Sequence, residues 1–72
     1  MKIKGKTTYQ HLGTGFWGVV GDDGQEWRPV DMPSELQKEG LKVELQANKA
    51  DEQMSVFMWG TAIKIKSYQI LN

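Results

Sequence analysis

Residues 2–9 alternate strictly: Ile3, Gly5, Thr7 and Tyr9 fall on one side, and Lys2, Lys4, Lys6 and Thr8 on the other. A period of two marks a strand with one solvated face. Gly5 inside that strand points to a bend or a close backbone approach. The short apolar runs 16–21 and 25–30 flank Asp22-Asp23-Gly24 and read as the two strands of a hairpin. The cleanest alternation lies at 41–48, with Leu41, Val43, Leu45 and Ala47 against Lys42, Glu44, Gln46 and Asn48. Residues 54–71 are rich in strand formers, with a break at Trp59-Gly60-Thr61 after a polar loop at 50–53. Ile63 and Ile65 share a side there, whereas Tyr68 and Ile70 have the opposite parity, so a bulge is expected near Ser67.

Asp31 to Gly40 breaks the period-two pattern. Pro33 suits a first helical turn, Glu35 complements its N-terminal dipole, and Gly40 is a C-terminal stop, so a short helix is expected over 33–39. Met32 and Leu36 would face the core. Such a helix is too short to stand alone and must cover something. The hairpin register stays open between two turns. A type I turn with a glycine bulge sets Val19 opposite Trp27, and a two-residue type I′ turn sets Val20 there. The difference of one residue exchanges the buried and exposed faces.

The element order is three strands, a short helix, then two strands. This predicts an all-β fold, a five-stranded OB-fold-like Greek-key barrel with the helix between the third and fourth strands. An SH3-like small barrel is the alternative. Closure also removes the open edges of a small sheet. Four sequence signatures resemble a family of small bacterial OB-like domains of uncharacterised function, some of them in exported proteins. They are Gly15-Phe16-Trp17-Gly18, Gly21-Asp22-Asp23-Gly24, Met32-Pro33 and Met58-Trp59-Gly60-Thr61. The likeness spans about Gly15 to Leu71. Trp27 departs from it, standing where a tyrosine is expected. The resemblance implies the fold and no activity.

The 72 residues make one domain with a thin core, and the chain has no cysteine to reinforce it. Its three tryptophans are the largest pieces available, so at least two are expected inside, with Trp27→Ala costing about 3–5 kcal/mol. Nine basic and nine acidic residues cancel, but Lys2, Lys4, Lys6, Lys64 and Lys66 lie near the ends and most acids between 22 and 39. A nucleic-acid binder normally has a basic excess. No run approaches the ~20 apolar residues of a membrane span. No apolar stretch of a signal peptide follows the first lysines, so the cytoplasm is the default compartment, or the periplasm if a leader has been removed.

Catalytic chemistry finds little support. His11 is the sole histidine, and Ser34, Ser55 and Ser67 have no base and acid in a recognisable order. Asp22 and Asp23 read as turn residues rather than a cation site. Met32, Met54 and Met58 are irregularly spaced and read as core fillers rather than soft-metal ligands with His11. No cofactor or metal is expected.

Binding finds more. In Phe16-Trp17 and Val19-Val20 one member of each pair must face outward, and Val56-Phe57-Met58-Trp59 repeats the situation. Exposed apolar patches mark interaction surfaces. The candidate binding residues are Phe16, Trp17, Arg28, Phe57 and Trp59. The expectation is a non-enzymatic binding module with a protein partner or self-association. One alternative is a single-stranded nucleic-acid-binding OB domain using Phe16, Trp17, Arg28 and the lysines. Asp22, Asp23 and Glu26 would repel phosphate beside those aromatics. A weaker alternative is a small-ligand or metal-binding domain of an exported protein. The lysine rows themselves read as solvated strand faces that discourage aggregation.

Overall fold

A computed structural model describes residues 1–50 and 59–71. Five strands, β1 (Lys2–Gln10), β2 (Phe16–Gly21), β3 (Glu26–Pro29), β4 (Lys42–Lys49) and β5 (Thr61–Ile70), close into a barrel in the order β1-β2-β3-β5-β4. All pairs are antiparallel except β3 with β5. The molecule is therefore the all-β small barrel that the element order predicts. Most of the polar loop and the strand start expected over 50–58 lie outside the described residues.

The alternation of β1 and β4 becomes the wall of the barrel. Ile3, Gly5 and Thr7 are buried, as are Val43, Leu45 and Ala47, while the lysines between them are exposed. Gly5 marks a close approach. A Cβ there would stand 2.8 Å from both the Val20 carbonyl carbon and Gly21 Cα. On β5, Gln46 pairs with Ser67 but Ala47 pairs with Ile65, so the strand carries one extra residue at Lys66. This bulge is what turns Tyr68 back toward the core beside Ile63 and Ile65.

The hairpin takes the first of its two registers, with Val19 opposite Trp27. Gly24 N–H donates to the Gly21 carbonyl at 2.9 Å, and Gly24 has φ +86°, the positive angle that the bulged turn demands. Gln25 N–H donates to Asp23 Oδ1 at 3.1 Å, so the aspartate holds the turn.

The helix expected over 33–39 is reduced to one 3₁₀ turn, Ser34–Leu36. Competition for its backbone explains this. The Thr7 hydroxyl donates to the Lys38 carbonyl and accepts the Leu41 N–H at 3.0 Å. Gly40 N–H donates to the Thr7 carbonyl at 2.9 Å, and Glu39 Oε1 accepts the Tyr9 N–H at 2.8 Å. Residues 38–41 bond to β1 instead of to their own preceding turn. What survives is a plug, with Leu36 fully buried at the end of the barrel.

The core is aliphatic: Ile3, Val19, Leu36, Val43, Leu45, Ala47 and Ile63. Trp27 is half-buried against it, and Trp17 and Trp59 are half-buried outside it. The expectation of at least two core tryptophans is thus corrected. Aliphatic side chains from four strands and the plug fill a barrel this narrow, leaving the indoles no interior volume.

Candidate functional site

An aromatic rim surrounds the start of β2. Tyr9 and Trp17 are partners across the β1–β2 ladder, and their rings meet edge to face at 5.2 Å. His11 also packs on Tyr9, ring to ring at 4.9 Å. The β1–β2 loop curls over the phenol: a Cβ on Gly15 would stand 2.6 Å from Tyr9 Cζ, and Gly15 holds φ +89°. Leu12 in that loop is 47% exposed.

Phe16 takes the opposite side of β2 from Trp17, as strand geometry requires. Its ring lies 5.7 Å from that of Trp59. Trp59 comes from the segment before β5 and lies across Gly18, where a Cβ would stand 2.5 Å from its Cη2. Phe16 and Trp59, far apart in the chain, are therefore neighbours. Phe57 lies outside the described residues.

Arg28 does not join this rim as an open cation. It is only 7% exposed on β3. Of the residues expected from sequence, Phe16, Trp17 and Trp59 lie at this rim, joined by Tyr9 and His11, which the sequence did not single out for binding. Tyr9 has the parity of a core residue, and only the curl of the loop brings it to the rim.

An open groove of about 530 Å³ lies at the other end of the barrel, lined by Lys2, Lys4, Asp22, Asp23 and Trp27 among others. Its lysines and aspartates offset one another, so it favours neither sign of charge. Among the described residues no three of His, Cys, Asp and Glu converge as a metal site. No helix among them is long and apolar enough to cross a membrane. No protein-family model matches the chain, and neither a curated protein nor a solved structure matches it.

Proposed function

We propose that the protein is a small non-enzymatic interaction module that docks an apolar protein surface on its aromatic rim. One observation carries this reading. Two ring clusters flank the start of β2, Tyr9 with His11 and Trp17 on one side and Phe16 with Trp59 on the other, outside a core that aliphatic residues already close. Rings that do not fill the core still hold large apolar area at low conformational cost, the property that makes aromatic residues frequent interface anchors. The exposed Leu12 extends the same surface.

The rim has the chemistry of an anchor and little else. The ring contact that His11 makes is with Tyr9. The buried Arg28 leaves no open cation on the β2–β3 face to hold phosphate, which weighs against nucleic acid at the rim itself.

Selection of linear peptides on the immobilised protein, followed by amide-shift mapping of a selected peptide, tests the reading. Shifts clustered at residues 9–18 and 59–61 are expected, together with loss of binding in Phe16→Ala. A selection that yields no binder, or a peptide that maps elsewhere, sinks it.

A further inference from the structure

The closed topology joins two lysine rows that are far apart in the chain. β4 pairs with β1 on one side and β5 on the other. Lys2, Lys4 and Lys6 of β1 therefore share one outer face with Lys42 of β4 and with Lys64 and Lys66 of β5, all exposed. The rungs across it read Lys2–Gln46–Ser67 and Lys4–Glu44–Gln69. Glu44 is the acid on this face, lying 4.0 Å from Lys2 Nζ and 3.7 Å from Lys4 Nζ. Asp22 borders it, where its N–H donates to the Lys4 carbonyl. A chain of zero net charge thus presents one strongly basic side.

Edge protection does not account for these lysines. β1, β4 and β5 each have a partner on both sides, so the barrel has no edge to guard. Lys6 and Lys42 stand directly opposite each other in register, a like-charge arrangement that costs stability.

We propose that this face is a docking track for a polynucleotide backbone, held by charge without reading bases. Alternate residues on a strand are about 6.8 Å apart. The Lys2, Lys4 and Lys6 side chains therefore leave β1 at nearly the step of successive phosphates along a nucleic-acid strand. The face is three strands wide, about 10 Å between the outer two. It curves with the barrel, which fits a linear polyanion better than a flat bilayer. Gln46, Asn48, Ser67 and Gln69 fill the spaces between the lysines, and the exposed Leu71 stands at the margin beside Lys42. The surface is separate from the aromatic rim and stands whether or not the rim docks a protein.

Fluorescence anisotropy with a labelled single-stranded DNA of about 20 nucleotides tests this across a salt series. Engaging about four phosphates predicts a log–log salt slope near −3. Lys4→Glu combined with Lys64→Glu is expected to weaken binding at least tenfold at low salt and flatten the slope, with an unchanged circular dichroism spectrum. Glu44→Gln is expected to tighten it severalfold. Amide shifts on the unmodified protein should fall on residues 2–6, 42–48 and 64–69. Absence of binding at low salt overturns the proposal. So do an unaltered affinity in the lysine variant, shifts confined to 9–18, or binding to phosphatidylserine vesicles without binding to the oligonucleotide.

Discussion

The indole of Trp59 lies over Gly18, occupying the place a side chain there would need. This is the joint between the closing segment of the barrel and the outer face of β2. It also fixes the neighbourhood of Phe16, whose ring lies 5.7 Å from that of Trp59. The glycine is therefore a seat for a ring, and the rim depends on it.

Gly18→Ala should displace the ring rather than the barrel. The clash falls on the far end of a side chain that sits outside the strands, and such an end can move. A loss of about 1 kcal/mol is expected, the lower end for overpacking, and roughly 4–8 °C in melting temperature. The Trp59 indole N–H resonance should shift strongly while those of Val43 and Leu45 stay in place.

Gly5→Ala is a different case. The new Cβ would meet backbone at 2.8 Å, the Val20 carbonyl carbon and Gly21 Cα, and neither can yield without parting β1 from β2. A cost of about 3 kcal/mol or more is expected, at or beyond the usual overpacking range. In so small a domain this is enough to leave a substantial unfolded fraction, measurable by urea titration. A loss below that of Gly18→Ala would contradict the geometry.

The strands were legible because their evidence is local. Alternation at Lys2–Gln10 and Lys42–Lys49 follows from neighbouring residues, and the parity change from Ile65 to Tyr68 placed the bulge. The hairpin was legible up to a choice, which the Val19–Trp27 pairing decides. The helix was not. Pro33, Glu35 and Gly40 are sound local signals, but the Thr7 hydroxyl, distant in sequence, takes the backbone bonds that a helix needs. The site divides in the same way. Phe16 and Trp17 betray themselves by adjacency, because two neighbours on a strand cannot both point inward. Tyr9 at the rim and Lys64 on the same outer face as Lys4 are consequences of closure, which no local pattern encodes.

Thr7→Val tests the bond that replaces the helix. Thr7 is 1% exposed, and its hydroxyl serves both the Lys38 carbonyl and the Leu41 N–H. Valine keeps the shape and removes both bonds, leaving a donor and an acceptor to find other partners, at a cost of about 1–3 kcal/mol. Exchange of the Leu41 amide with deuterium should accelerate well beyond that of amides on β4. Thr7→Ser, which retains the hydroxyl, should stay closer to the parent.

The ranking of two truncations discriminates between an aromatic and an aliphatic core. Trp27 is the larger side chain, and composition alone makes it the costlier loss. The structure reverses the order. Leu36 is fully buried and closes the barrel end, with Val19, Val43, Leu45 and Ile63 in the same cluster, whereas Trp27 is half-buried at its margin. Leu36→Ala opens a cavity that the narrow barrel cannot collapse, at about 3–4 kcal/mol. Trp27→Ala exposes part of a cluster that water already reaches, and roughly 2 kcal/mol is expected, below the ~3–5 of a buried large aromatic. Urea midpoints of the two variants decide the matter. If Trp27→Ala unfolds first, the indole carries the core after all and the aliphatic plug is secondary.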